Sequence, residues 1–232
     1  MDKMVNAVRI FFPMIRYLMT CLLGGLLVLF SSPELVLSGI LLDDYKEGMS
    51  PNWEVRPLEG ETLYQVTREG SEYCIRATSR GSASALYYRI EYDTRVYPIL
   101  KWRWKVSRVL SKGDALKREG DDYAARVFVV FFPGKFWKGN VLVYVWANRL
   151  PKATAVPSSH NPHFMVVAVE SGSAHVGEWR EAQRNVHEDY RRYFRAEPPK
   201  AEAIAIMTDT DNTGEEATAW YGPIWILPQS PR

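Results

Sequence analysis

Short oxygen-bearing side chains are concentrated in one turn near the C-terminus, where they could bind a ligand. Within residues 203–226 an apolar run gives way to acidic, amide and hydroxyl residues before an aromatic run follows. This order predicts a strand, a polar turn and a second strand. Asp209, Asp211 and Asn212 are candidate ligand-binding residues, since their oxygen atoms suit Ca²⁺ or a polyhydroxylated ligand. The same residues also suit a turn whose side chains bond their own backbone.

The polar turn is a poor match to a calcium-binding loop. Residues 209–214 lack the full twelve-residue pattern of an EF-hand. Asp and Asn residues in turns more often accept hydrogen bonds from nearby backbone N–H groups. We therefore expect no cofactor, with Ca²⁺ bound by Asp209 and Asp211 as the alternative.

Basic residues alternate with apolar ones along residues 100–106. In a strand, this alternation places the tryptophans on one face, which should be core, and the cations on the other. The cations are Lys101, Arg103 and Lys105. They must meet water, acidic side chains on neighbouring strands or an anionic ligand. Solvation and ion pairing are the commoner outcomes, and Arg103 is the candidate ligand-binding residue of this row.

Two carboxylates precede a further predicted strand that carries an arginine. Asp121 and Asp122 lie a few residues before Arg126. A catalytic acid and base would need a defined separation and a raised pKa in one carboxyl group. Ion-pair networks are the commoner use of such carboxylates. We therefore favour structural pairing or a metal loop over acid/base catalysis, and count all three residues among the candidate ligand-binding residues.

An aromatic row alternates along residues 141–148. Tyr144 and Trp146 share one face, and Asn148 continues it. Such a row can stack on a sugar ring and bond its hydroxyl groups. Large aromatic residues are more often buried, so core packing is the competing interpretation. Tyr144 and Trp146 are included in the candidate ligand face.

Several kinds of chemistry find no support in the sequence. The four histidines show no zinc-ligand spacing, and the sequence has no G-x-S-x-G motif, Walker loop or glycine-rich dinucleotide fingerprint. The formal net charge of +2 argues against non-specific nucleic-acid binding. Cys74 lies in an apolar, strand-like context that is typical of a buried thiol. No residue is assigned a catalytic role.

Beyond residue 38 short apolar runs are separated by turn residues, a spacing typical of all-β proteins. We predict an antiparallel β-sandwich of jelly-roll type with one short helix at Val186–Phe194. Since no long linker or repeat interrupts the pattern, residues 39–232 are expected to form a single domain. The predicted strands are 63–67, 73–77, 84–90, 99–106, 124–132, 141–147, 163–169, 203–208 and 217–226.

Residues 1–38 have the features of an export signal. Lys3, Arg9 and Arg16 precede an uninterrupted apolar run at residues 17–30, which gives the basic and hydrophobic regions of a secretory signal. The run is short for a membrane span, and an uncleaved anchor is the alternative. We expect a periplasmic or cell-surface protein that contacts the membrane only through this segment.

Five motifs give the chain a resemblance to a known family. They are residues 100–104, 119–127, 144–147, 177–179 and 207–213. In this order they resemble the bacterial family of exported proteins called domain of unknown function 3047, which implies export and a compact β-rich domain but supplies no catalytic residues. Residues 52–55, 82–87 and 97–98 give a looser similarity to galactose-binding-type jelly rolls and carbohydrate-binding modules. This similarity implies a glycan-binding face, and such modules often carry a structural Ca²⁺ ion.

These patterns favour a non-catalytic binding module for a carbohydrate or another envelope component. Its proposed ligand face comprises Arg103, Asp121, Asp122, Arg126, Tyr144, Trp146, Asp209, Asp211 and Asn212. One alternative is a polysaccharide hydrolase or lyase that uses Asp121 or Asp122 with Asp209 or Asp211. Another is a protein–protein interaction module in envelope assembly. Carboxylates paired across an open cleft would favour the enzyme, and carboxylates each bound to an arginine would favour structure.

Overall fold

The computed structural model describes residues 38–131 and 139–229, in which the chain forms fourteen β-strands, one α-helix and one turn of 3-10 helix at Arg118–Gly120. The strands are β1 Ile40–Leu41, β2 Trp53–Glu59, β3 Leu63–Glu69, β4 Glu72–Arg80, β5 Ala83–Tyr92, β6 Ile99–Val106, β7 Arg126–Phe131, β8 Asn140–Ala147, β9 Ala155–Pro157, β10 Phe164–Ser171, β11 Arg180–Asn185, β12 Ala201–Met207, β13 Glu216–Tyr221 and β14 Trp225–Leu227. The predicted export signal lies outside the described residues apart from its last residue, and so does Phe132 of a predicted strand.

The strands form two sheets that pack face to face. Sheet A has the order β1-β14-β6-β13-β4-β3, with β11 also paired to β6. Sheet B has the order β2-β5-β12-β7-β8-β10-β9. Among the described strands, β8 and β10 pair in parallel, and the other pairs are antiparallel. The sandwich is therefore mainly antiparallel, with one exception that the sequence did not predict.

Eight of these strands have the connectivity of a jelly roll. These strands are β4, β5, β6, β7, β8, β11, β12 and β13. Along this set the chain alternates between the sheets, except at the neighbouring strands β7 and β8, which both belong to sheet B. The resulting spatial orders are β4-β13-β6-β11 in sheet A and β5-β12-β7-β8 in sheet B. Two interlocked Greek keys of this kind define the jelly roll. The predicted fold class is confirmed.

Aromatic rings from both sheets fill the core. Trp102 and Trp104 of β6 point from sheet A towards Tyr144 and Trp146 of β8 in sheet B. The ring centroids of Trp102 and Tyr144 are 5.4 Å apart, and those of Trp104 and Trp146 are 6.1 Å apart. All four side chains are buried. Because residues alternate along a strand, this core sends the cations of β6 to the outer face of sheet A.

The single described helix, α1, spans Val186–Phe194 as predicted. Its N-cap is Asn185, whose side chain accepts a hydrogen bond from the backbone N–H of Glu188 at 3.0 Å. Arg195 ends the helix in the left-handed conformation, with φ of 55°. Tyr190 packs on Phe131 of β7, which fixes the helix against sheet B. In the part of the chain that the structure describes, no helix is long and apolar enough to cross a membrane.

Candidate ligand-binding site

The polar turn after β12 packs against the segment before β7 at one end of the sandwich. Met207 pairs with Arg126 in the sheet register, so Asp209 lies two residues beyond this pair. The backbone N–H of Asp209 donates to the carbonyl of Tyr123 at 3.3 Å. We call the cluster formed here the polar end, comprising Asp121, Asp122, Arg126, Asp209, Asp211 and Asn212. The structure thus brings together six of the nine candidate residues.

Arg126 and Asp209 form a buried, bidentate ion pair at the polar end. The Arg126 Nε donates to Asp209 Oδ1 at 2.8 Å, and its Nη2 donates to Asp209 Oδ2 and to the carbonyl of Asp121. The carboxylate of Asp121 lies 3.8 Å from Arg126 Nη1. All three residues are buried. Three hydrogen bonds from Nε and Nη2 therefore hold the guanidinium group inside the protein.

Asp122 fixes the polar turn through its carboxylate. Its Oδ1 accepts from Asn212 Nδ2 at 2.9 Å, and its Oδ2 accepts from the backbone N–H of Thr213 at 2.6 Å. Burial raises the pKa of Asp122, but hydrogen bonds from Asn212 and Thr213 outweigh this and hold its pKa below the usual value. Asp122 thus acts as a cap for the turn in its charged form.

Three acidic residues of the polar end lie close enough together to offer ligand atoms to one metal ion. Carboxylate oxygens of Asp122, Asp209 and Asp211 lie within 4.8 Å of one another. Burial raises the pKa of Asp209 well above its usual range, and the charge of Asp122 adds to this, whereas Arg126 opposes it. Since both oxygens of Asp209 already face the guanidinium, the positive charge of a cation there would be opposed by Arg126.

Asp211 and Asn212 form the outer rim of the polar end. Asp211 is half-buried and Asn212 is exposed. Burial raises the pKa of Asp211, and the neighbouring charge of Asp122 adds to the rise. Asn212 Nδ2 also donates to Asp211 Oδ2 at 3.2 Å. Asp211 thus bonds within the turn, whereas Asn212 also bonds to Asp122 in the segment before β7.

Tyr144 and Trp146 do not lie on a ligand face, which corrects the sequence interpretation. Both are 0% exposed and pack between the sheets. The hydroxyl of Tyr144 donates to Asp189 Oδ2 at 2.8 Å, and Trp146 Nε1 donates to the carbonyl of Gly172 at 3.0 Å. Their polar atoms are therefore satisfied inside the fold. The competing interpretation, core packing, describes both residues.

Arg103 lies apart from the polar end, on the outer face of sheet A. Its guanidinium group pairs with Glu72 of β4 and lies 4.4 Å from the ring centre of Trp179. The side chain crosses Gly222, where a Cβ atom would come within 2.6 Å of the Arg103 Cγ. The proposed single face of nine residues is therefore wrong, because Arg103 and the polar end contribute to different surfaces.

Tryptophans and cations are interleaved on this outer face. We call it the cationic face, comprising Lys101, Arg103, Lys105, Trp179, Trp220 and Trp225. Lys105 lies 4.2 Å from the ring centre of Trp220 and 5.5 Å from that of Trp179. Its ammonium group also pairs with Glu69 at 2.6 Å. Trp225 pairs with Lys101 in the sheet register and is 38% exposed.

A pocket of about 510 Å³ opens on the cationic face. Its lining combines aromatic rings with charged groups of both signs, and we call it the face pocket. The lining includes Glu72, Tyr73, Lys101, Arg103, Glu181 and Trp225. Such a mixture of ring surfaces with hydrogen-bond donors and acceptors is typical of small-molecule sites. The face pocket is the most suitable ligand site among the described residues.

Most residues of the face pocket were not identified from the sequence. Glu181 lies on β11, whose sequence REAQRN lacks the apolar alternation that predicts a strand. Trp225 lies in the predicted strand 217–226, but the structure divides this strand into β13 and β14 at residues 222–224. Because of this interruption, Trp225 lies on the same face as Trp220, which simple alternation along one strand does not predict. Arg103 was identified because its alternation with tryptophans is regular.

Comparisons with known proteins identify a family but give no activity. Residues 51–225 match the family model described as Protein of unknown function (DUF3047). No curated protein matches the chain. Solved structures with a similar fold include a family 11 carbohydrate-binding module from Clostridium thermocellum in complex with a β-1,3-1,4-mixed-linked tetrasaccharide. It has 12% identity and a TM-score of 0.42, covering 84% of this chain and 99% of that one.

Two further structures are similar at the same level. The cellulose induced protein Cip1 has 11% identity and a TM-score of 0.43, covering 80% of this chain and 95% of its own. The CBM22-1 xylan-binding domain of Paenibacillus barcinonensis Xyn10C has 11% identity and a TM-score of 0.36, covering 84% and 98%. These values are too low to transfer the role of any residue.

Proposed function

The chain belongs to the DUF3047 family, and we propose that this member is an exported, non-catalytic binding module for a carbohydrate or another polyhydroxylated envelope component. The observation that carries the proposal is the face pocket, where an exposed tryptophan stands beside charged groups on a regular sheet. Trp225 supplies the ring, and Lys101 and Arg103 supply donors. Export rests on the sequence of residues 1–38 alone.

The chemistry of the face pocket suits a sugar. A sugar ring presents an apolar face of C–H groups, which packs on aromatic rings, and an edge of hydroxyl groups, which donate and accept hydrogen bonds. Trp225 and Tyr73 offer rings, while Glu72 and Glu181 offer acceptors beside the cations. Because these side chains extend from β4, β6, β11 and β14, the site is built on strands rather than on a flexible loop.

Asp122 and Asp209, two of the four carboxylates of the polar end, favour a structural role over catalysis. Asp209 is bound to Arg126, and Asp122 is bound to the backbone of the turn. Both are buried, so neither faces a cleft with a partner carboxylate. A hydrolase that used these groups would need one of them open to substrate. This supports the binding function over the hydrolase or lyase alternative.

The proposal predicts that Trp225→Ala weakens glycan binding while the fold is retained. Glycan affinity of the purified protein would be measured by calorimetry after a screen of envelope glycans. Loss of the stacking ring should reduce affinity by about fivefold, since aromatic contacts contribute about 1 kcal/mol. Thermal unfolding would show whether the variant remains folded.

The matched control is Tyr87→Ala on the outer face of sheet B. Tyr87 is also a partly exposed ring beside a cation, with the Arg56 guanidinium 3.8 Å from its centre. This variant should bind glycans like the parent protein. Equal losses for the two variants, or no binding of any envelope glycan by the parent, would refute the assignment of the face pocket.

A further inference from the structure

We propose that the face pocket selects neutral glycans and rejects acidic ones, an inference that rests on the proposed function. The charged residues that line the pocket balance each other: three are cations and three are carboxylates. They are Asp44, Lys46, Glu72, Lys101, Arg103 and Glu181. A row of three cations on β6 suggests a site for an anion, but the structure supplies each of these cations with a protein carboxylate.

The six charges form three separate ion pairs around the pocket. Lys46 Nζ lies 2.7 Å from Asp44 Oδ2, and Lys101 Nζ lies 3.5 Å from Glu181 Oε2. The third pair joins Arg103 to Glu72. An acidic ligand would have to displace a carboxylate from its cation or lie beside it, and like charges placed side by side are repelled. A neutral ligand meets neither obstacle.

Besides its pair with Glu72, Arg103 is held by two further contacts. It packs on Trp179 from one side and crosses Gly222 with 25% of its side chain exposed. Lys105, the next cation of the strand, is enclosed between two tryptophan rings and paired with Glu69, with 13% of its side chain exposed. Both cations are therefore held by protein groups as long as their carboxylate partners are present.

The ion pairs leave hydrogen-bonding capacity that suits hydroxyl groups. The side chains of Glu72 and Glu181 are 52% and 71% exposed, so their remaining oxygen lone pairs can accept from a ligand. Lys101 is 41% exposed and retains N–H groups that can donate. A hydroxyl group both donates and accepts, whereas a carboxylate or phosphate only accepts. Neutral sugars therefore match both kinds of group around the pocket.

The test compares matched neutral and acidic oligosaccharides on the full-length protein. The probes are β-1,4-linked oligomers of glucose, mannose and galactose, each paired with its C6-oxidised uronate of equal length. Calorimetry should show that the neutral member of a bound pair binds at least about tenfold more tightly. Its affinity should change little between about 0.05 and 0.5 M salt, because no net charge is neutralised.

Variants then reverse the selectivity. Glu72→Gln with Glu181→Gln frees Arg103 and Lys101 from their partners, so the affinity for uronates should rise and the preference for neutral sugars should fall by about tenfold. If the double variant is unstable, the single variant Glu181→Gln replaces it in the test, because the Glu181 side chain is largely exposed. The control is Glu54→Gln on sheet B, which removes the exposed pair with Arg56 and should leave the preference unchanged.

The outcomes separate the two proposals. Binding of neutral sugars that is lost in Trp225→Ala, together with equal or tighter binding of uronates by the parent, would overturn the selectivity and keep the proposed function. The selectivity would also be overturned, and the proposed function kept, if removal of Glu72 and Glu181 leaves the neutral-to-acidic ratio unchanged. Absence of binding to every probe and every screened envelope glycan would overturn the proposed function and the selectivity with it.

Discussion

The polar end and the cationic face both contain arginine–carboxylate pairs, yet the structure uses them differently. Arg126 is buried, and its donors bond to Asp209 and to the backbone of Asp121. Arg103 is partly exposed, stacks on Trp179 and lines an open pocket. The same residue types therefore close one region and leave the other accessible. Burial and the completeness of hydrogen bonding distinguish a structural ion pair from one that can meet a ligand.

The difference also has an energetic meaning. A buried pair has lost its hydration, so removing one partner leaves an uncompensated group in a poorly solvated place. A pair at the surface is screened by water, and its loss changes stability little. Mutations at the polar end should therefore act on folding, and mutations at the cationic face should act on binding.

The largest expected effect is that of Arg126→Met. The variant leaves Asp209 buried without its counter-charge and also removes the donor to the Asp121 carbonyl. The free energy of unfolding, measured with urea, should fall by about 3–5 kcal/mol. Arg103→Met is the comparison at the cationic face and should cost at most about 1 kcal/mol. Similar losses for both variants would remove the distinction between the two regions.

A smaller effect is expected from Asp122→Asn, with a pH dependence of known sign. The two carboxylate oxygens of Asp122 accept from Asn212 Nδ2 and from the Thr213 N–H, whereas an amide has only one acceptor oxygen. Stability at neutral pH should therefore fall by about 1–3 kcal/mol. The folded pKa of Asp122 lies below its unfolded value. Its contribution is therefore present above the unfolded pKa, about 3.9, and is lost as pH falls through the folded pKa.

Urea unfolding of both proteins across the acidic range checks this prediction. The stability difference between parent and Asp122→Asn should be constant from about pH 5 to 7 and should shrink below about pH 4. A difference that grows on acidification would contradict the role of the charged carboxylate as the cap of the turn.

The smallest effect on stability is expected from Gly222→Ala, which tests whether the position of Arg103 on the cationic face affects binding. The new Cβ would lie 2.6 Å from Arg103 Cγ and 2.9 Å from its Nε, so the side chain must move away from Glu72 and Trp179. Stability should change by no more than about 1 kcal/mol. Affinity for the glycan identified in the screen should fall by about threefold to tenfold.

A double-mutant cycle with Arg103→Ala isolates the cause. If Gly222→Ala acts only by displacing Arg103, it should have no further effect on affinity once that side chain is removed. Additive losses would show that Gly222 acts in another way.

Regular alternation made much of the fold predictable from sequence. β6 was predicted with its observed bounds because its apolar and basic residues alternate without a break. The helix Val186–Phe194 was predicted because its apolar residues recur at helical spacing and the pattern ends before two prolines. β11 was missed because five of its six residues are polar or charged, and its pairing partner on β6 determines its structure instead.

The site was less predictable because proximity within a sequence motif says little about exposure. Tyr144 and Trp146 have the alternation of a ligand face, but both faces of β8 are buried, so alternation could not show which side meets water. Asp122 and Asp209 lie close together because β7 and β12 are neighbours in sheet B. Their partners, Thr213 and Arg126, are distant in the sequence, and no local pattern indicates them. The face pocket draws on β4, β6, β11 and β14, whose pairing is set by the jelly-roll order.

The position of β13 has a consequence for how the protein folds. This strand lies between β4 and β6 in sheet A, although it is almost the last to be synthesised. The Thr78 and Thr218 hydroxyls that meet across β4 and β13 are 140 residues apart in the chain. Sheet A therefore cannot be completed until β13 and β14 have been synthesised. We expect closure of this long loop to slow folding, because pairing of distant strands costs more chain entropy than local hairpin formation. Nascent chains lacking β13 leave the facing edges of β4 and β6 without their shared neighbour, exposed to pairing with other strands.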